Sequence, residues 1–202
     1  SIKKIKDNAF SGCKSLTELS IPSSVEKMGE FSFSYCTSLE KVTIPSSVTT
    51  IEDYAFAGCS SLAQVEIPSS VSCIGSCAFS GCSSLTQITV PSSVTSVESG
   101  AFSLCSSLRQ ISIPASLSSI ENDVFSECAS LAQVEIPPSV ASIGDGAFSG
   151  CTSLKRVTIH SSLRSIGCGA FQRCFSLSRV SLPSSVTNIE DSAFPSYIKV
   201  VR

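Results

Sequence analysis

The sequence has one histidine, His160, and only 15% charged residues. A lone imidazole with no paired nucleophile excludes His-assisted nucleophilic catalysis, and the cysteine spacing described below is not that of a zinc site. Every apolar run is broken by Ser, Pro or Gly well short of the length a bilayer requires, so no membrane insertion is expected. No glycine-rich turn between a strand and a long helix offers a phosphate cradle, and no cofactor motif is present. Basic stretches interleaved with aromatics are missing too, which excludes nucleic acid as a partner. Asn8, Asn122 and Asn188 all lack the Ser or Thr of a glycosylation sequon. Scarce charge does not mean disorder here, because 42% of the residues are hydrophobic. Neither a linker nor a composition break divides the chain, so residues 1–202 are expected to form a single domain. There is no signal-peptide pattern, Ser1 falls inside a repeat, and Arg202 is not followed by a polar cap. Since solenoids need capping repeats, an internal piece of a longer chain is expected.

What the chain has is a period. The stretch from Ile67 to Thr89 recurs every 23 residues, and its places are numbered here 1 to 23 from Ile67. Place 13 is Phe in all nine copies, from Phe10 and Phe33 to Phe171 and Phe194, and place 16 is Cys in eight, from Cys13 to Cys174. Such a period marks stacked units that cannot bury an apolar face alone. The first and last copies are incomplete, and the ninth loses the pattern after Phe194, where Pro195 and Tyr197 intervene.

Within one unit, Leu62-Ala63-Gln64-Val65-Glu66-Ile67 alternates with the period of a half-buried strand. Pro68 at place 2 cannot donate to a ladder and ends it, and the Ser pair that follows turns the chain. Apolar residues at places 5 and 8, such as Val48 and Ile51, suit a short extended segment across the back. Place 10 is Asp, Ser or Asn in seven copies, which reads as a helix N-cap. Ala at place 12, Phe at place 13 and Gly at place 15 then read as a one-turn helix closed in the left-handed conformation. The expectation is an α/β repeat solenoid.

The phrase running from Leu39 to Leu62, Leu-x-x-Val-x-Ile-Pro-Ser-Ser-Val-x-x-Ile-x-x-x-Ala-Phe-x-x-Cys-x-Ser-Leu, resembles the BspA-like leucine-rich repeat family over essentially the whole chain. The resemblance implies a leucine-rich-repeat arc with a concave parallel β-sheet, and short strands with one-turn helices on the convex side. It also implies a cell-surface or secreted, non-catalytic adhesion region that binds protein, such as a host matrix or cell-surface protein. An intracellular scaffold or regulator of a partner enzyme, in the cytoplasm where reduced thiols are at home, stays open beside it. The family motif consists of core residues and brings no catalytic residue.

Eleven cysteines invite a disulfide reading, yet eight repeat at one apolar place, where a thiol packs as a small hydrophobe. These are expected to be free; Cys73, Cys77 and Cys168 stand outside the column. His160 replaces the strand-ending proline and reads as a surface turn residue. Acidic residues at places 9 and 10, among them Glu52, Asp53, Glu98, Glu121 and Asp145, read as helix-start charges. That leaves the outward places of the strand as the candidate ligand-binding face: Lys41, Gln64, Gln87, Gln110, Gln133, Arg156 and Arg179 at place 21, Glu66 and Glu135 at place 23, and Lys155 at place 20. The Gln row could stack amide on amide as plain structure, or form a polar surface. Residues 155–202 carry seven basic and two acidic side chains, so an acidic protein segment or acidic glycan is expected to bind at that end.

Overall fold

The computed structural model describes all 202 residues as a parallel-strand solenoid of about nine turns. Strands alternate along the chain: β1 Lys4–Ile5, β2 Glu18–Ser20, β3 Lys27–Met28, β4 Lys41–Thr43, β5 Thr50–Ile51, β6 Gln64–Glu66, β7 Cys73–Ile74, β8 Gln87–Thr89, β9 Ser96–Val97, β10 Gln110–Ser112, β11 Ser119–Ile120, β12 Gln133–Glu135, β13 Ser142–Ile143, β14 Arg156–Thr158, β15 Ser165–Ile166, β16 Arg179–Ser181, β17 Asn188–Ile189 and β18 Lys199–Val201. Even-numbered strands form the front of each coil and odd-numbered ones the back. Every pairing is parallel, and all but the last join residues 23 apart, as in Gln110 with Gln87 and Ile74 with Ile51. The front strands show the expected alternation, with Val65 buried between exposed Gln64 and Glu66. Apolar places 1, 5, 8, 12, 13, 16, 19 and 22 merge into one core cluster of 56 buried residues.

Nine phenylalanines form the spine of that core. Their rings stack in sequence from Phe10 to Phe194, with neighbouring centroids 5.0–5.9 Å apart and planes within 19°. The widest step, 5.9 Å between Phe102 and Phe125, lies beside Val124, which stands where the other coils have Ala or Ser. The extra methyl groups leave an apolar gap of about 10 Å³ there, room for no more than one water.

The predicted one-turn helices do not form, so the solenoid is built of strands and turns and is not α/β; the structure has no helix, and places 10 to 15 are a run of turns. Amide partners explain why. An α-helix needs each N–H bonded four residues back. Here the N–H groups of Tyr54, Phe56 and Gly58 donate instead to the carbonyls of Ser76, Ala78 and Ser80 in the next coil, at 2.7–2.9 Å. The amides between them, on Ala55, Ala57 and Cys59, donate three residues back within their own turn. Every second amide is committed to the neighbouring coil, so a continuous helix is impossible.

This arrangement puts places 11 and 15 in the left-handed region. Glycine holds some of these positions, such as Gly58 and Gly150, but ten are non-glycine, including Phe31, Tyr35, Tyr54, Leu104 and Arg173 at φ 55–59°. Place 10 is likewise no helix cap. The Asp53 carboxylate accepts the N–H of Ser76 at 2.7 Å, and the Asp145 carboxylate that of Cys168 at 2.7 Å, so each caps the next coil. Serine at place 4 does similar work: the Ser70 hydroxyl donates to the Val48 carbonyl of the preceding coil at 2.7 Å.

The ninth coil was expected to lose the pattern after Phe194, and the structure corrects this. Ile198 donates to the Pro195 carbonyl and is buried like the leucine of place 19. The strand follows at once, so β18 pairs with β16 in the register Arg179–Lys199 after 20 residues instead of 23. The deletion shortens the turns without breaking the ladder.

Candidate ligand-binding face

Proline at place 2 and the turns at places 10 to 15 fix both ends of each front strand, so places 21 and 23 project outward from every coil. Lys41, Gln64, Glu66, Gln87, Gln110, Gln133, Glu135, Arg156 and Arg179 are all exposed there, and Lys155 is exposed beside Arg156. Ladder register sets Lys41 beside Gln64, Gln87 beside Gln110, and Gln133 beside Arg156. The four glutamine side chains make no hydrogen bond to one another or to any other group. An amide ladder is therefore not what holds this face together.

The front is not one unbroken sheet. Its ladders are β2-β4-β6, β8-β10, β12-β14 and β16-β18, with seams after β6, β10 and β14. At the second seam a hollow of about 560 Å³ opens between Gln110, Ser112, Gln133, Glu135 and Arg156, with Pro137 and Pro138 at its edge. A smaller one lies at the first seam, along Gln64, Glu66 and Gln87. His160 reaches this face, its Nε2 lying 3.2 Å from Glu135 Oε1.

The basic end is longer than the sequence suggested. Register places Lys199 beside Arg179, so Arg156, Arg179 and Lys199 occupy the same outward place on three successive front strands. The ion pairs of the chain are Lys3–Glu26, Lys27–Glu52 and Glu127–Arg173, and the Glu135 carboxylate meets the His160 imidazole. None includes Lys155, Arg156, Arg179 or Lys199. Neighbouring strands lie about 4.8 Å apart, and like charges opposed at that spacing repel. Lys199 was missed because its strand arrives three residues early; the Ile198-Lys199-Val200 pattern after a shortened turn was the available signal.

All eleven cysteines are free thiols. In seven coils the column thiol donates to the phenylalanine carbonyl of the preceding coil at 3.1–3.3 Å, as Cys59 does to Phe33 and Cys105 to Phe79. Cysteine at place 16 is thus both a core filler and a weak donor. Burial pushes these thiols up from their ordinary value near 9, to about 12 for Cys59, Cys105 and Cys174. The buried thiols are therefore poor nucleophiles. No three His, Cys, Asp or Glu side chains converge closely enough to hold a metal ion.

Two consequences can be measured. Alkylation of the native protein should label only Cys13, Cys73, Cys77 and Cys168, with all eleven reacting after unfolding; mass spectrometry counts them. Stability should be full below pH 9 and fall as pH rises toward about 12, because the unfolded thiols release protons that the folded ones still hold. Native labelling of Cys82 or Cys105 at neutral pH would contradict both.

A family model described as BspA type Leucine rich repeat region matches the chain in 6 copies, over residues 1–108 and 73–201. Among solved structures, the chain is similar to a leucine-rich repeat protein from Bacteroides ovatus, at 34% identity and a TM-score of 0.90 over 94% of this chain. That alignment covers 49% of the Bacteroides protein, so the chain spans about half its length. A leucine-rich repeat protein from T. pallidum is 34% identical, with a TM-score of 0.62 over 87% of this chain and 72% of that one. A leucine rich cell surface protein from Faecalibacterium prausnitzii is 28% identical, with a TM-score of 0.51 over 97% and 75%. No curated protein matches.

Proposed function

This chain belongs to the BspA-type leucine-rich repeat family, and from that premise we propose that it is a non-catalytic binding segment of a cell-surface or secreted protein. It acts as one repeat domain, and its front face docks a protein or acidic glycan. The observation that carries this reading is the front face itself. Its glutamines are unpaired, the one internal side-chain contact among its outward residues is Glu135 with His160, and its C-terminal strands align three cations with no counter-ion. The cell-surface name of the Faecalibacterium relative supports the location. Eleven free thiols also suit an intracellular scaffold that regulates a partner enzyme, which would use the same face.

Attachment is expected to be salt-dependent, since exposed charges are screened over about 10 Å at 0.1 M salt. The test uses two probes, a sulfated oligosaccharide and a poly-glutamate peptide, immobilised and titrated at low salt. Arg156→Gln with Arg179→Gln substitutes the residue that the central coils already carry, so folding should be unaffected. At least one probe should bind the double variant about tenfold more weakly, the loss expected when roughly 1.4 kcal/mol of interaction is removed. Equal binding of parent and variant would reduce the basic end to a solvated surface.

A further inference from the structure

Away from the two ends of the solenoid, the large apolar side chains that stay exposed are Tyr35, Tyr54 and Leu104, at 60%, 37% and 53%. All three sit on the turn edge, at places 11 and 15, and all three hold φ of 55–59°. Other coils put glycine there. A bulky side chain in left-handed backbone is strained, and no core contact repays it at these exposures. Phe31 stacks on Tyr54 at 4.5 Å with planes within 4°, and the Tyr35 ring covers Gly58, so three aromatics form one patch across the second and third coils.

C-terminal to the patch lies a trough of about 380 Å³ with Gly100 in its floor and Cys77, Leu104, Asp123 and Glu127 around it. Its charge is one-sided. Asp123 has no ion-pair partner and Glu98 stands on the same run of turns, whereas Glu52 is already paired with Lys27. The one cation that reaches the trough is Arg173, whose guanidinium donates to Glu127 at 2.7 Å from two coils away.

We propose that this turn edge is a second docking surface, distinct from the front face, and that it takes an extended polypeptide segment bearing arginine or lysine beside an apolar residue. The apolar residue lies against Tyr35 and Tyr54, where aromatic surface concentrates binding energy. The cation enters the trough toward Asp123 and Glu127, in the manner Arg173 shows. Its long aliphatic stem lies along Leu104, beside Gly100, over which the Cys77 thiol already sits. The front face, with its cationic row, selects the opposite charge.

The test exploits two features of the sequence. The chain lacks tryptophan and has three tyrosines, two of them in the patch, so tyrosine fluorescence reports occupancy directly. The probe is a short synthetic peptide in which arginine and leucine are spaced by glycine and serine; its control has glutamate for arginine. Tyr35→Gly with Tyr54→Gly introduces the residue that other coils use at those places, so thermal stability should stay level or rise. The basic peptide should quench the parent. The double variant lacks both reporters, so its binding is read by the anisotropy of a dye on the peptide and should be about tenfold weaker or worse. Asp123→Asn should weaken it in the same direction. Arg156→Gln with Arg179→Gln should leave it unchanged, so failure of this surface and failure of the front face are separable. The proposal is overturned if the double glycine variant binds as the parent does, if the acidic control binds equally, or if the parent binds neither peptide. Self-association through the patch, seen by sedimentation and lost in the glycine variant without peptide binding, would overturn it as well.

Discussion

Replacing Phe102 with alanine is expected to cost about 3–5 kcal/mol, the range for deleting a fully buried aromatic ring. Phe102 is entirely inaccessible to solvent and lies between Phe79 and Phe125, at 5.6 and 5.9 Å. Removing it interrupts the spine at its centre and orphans a face of each neighbour. For a chain of this size, about 2–4 °C of melting temperature is lost per kcal/mol, so a fall of roughly 10 °C is predicted. Phe10→Ala is the control, because Phe10 has one stacking partner and is 40% exposed. Its loss should be much smaller. Stability in a solenoid is carried by contacts between neighbours, so the central variant should also broaden or split the melt, while the terminal one should not. Equal melting losses for the two variants would mean that the stack is not the spine of the fold.

Gly75→Ala is also expected to destabilise the fold, though less, for a reason invisible in any single repeat. A Cβ at Gly75 would come within 2.7 Å of the Asp53 backbone nitrogen and collide with the carboxylate that caps Ser76. Overpacking of this kind costs roughly 1–3 kcal/mol. Gly29, Gly144 and Gly167 meet Asp7, Asn122 and Asp145 in the same way. Each glycine at place 9 follows a coil with Asp or Asn at place 10; where that coil has Glu, Ser or Cys, place 9 is glutamate. The capping carboxylate draws two coils together and leaves no room for a side chain. Asp53→Ser should therefore rescue part of the Gly75→Ala loss, since Ser76 is followed by Glu98 without difficulty. Chemical denaturation of the two single variants and the double variant measures the coupling. Strict additivity would remove the capping explanation.

The strands and the core columns were legible because their signals are local and repeated: alternation around Val65, a proline at its end, and phenylalanine at a fixed place. The turns misled because Asp53, Ala55, Phe56 and Gly58 satisfy the rules of a short helix, while their amides bond to Ser76, Ala78 and Ser80 in another coil. No window of one repeat contains those partners. The pairing of Asp53 with Gly75 was available in principle, as a correlation between adjacent copies. Lys199 was hidden by a deletion that changed the count but not the register. The front face was legible by subtraction, from outward positions with no structural duty. The strained aromatics of the turn edge were not, because nothing in the sequence announces a left-handed backbone at Tyr35 or Tyr54.

The central claim is that the stacked columns hold this fold and leave the front face free for a ligand. Its most direct test replaces Gln64, Gln87, Gln110 and Gln133 together with threonine, a residue the adjacent outward place already carries at Thr43 and Thr89, and measures thermal unfolding. With no hydrogen bond from these four side chains to lose, the melting temperature should move by no more than about 2 °C, as surface substitutions away from special features do. A cooperative fall comparable with that of Phe102→Ala would show that the glutamine row is structure, and that the face assigned to binding is part of what holds the molecule together.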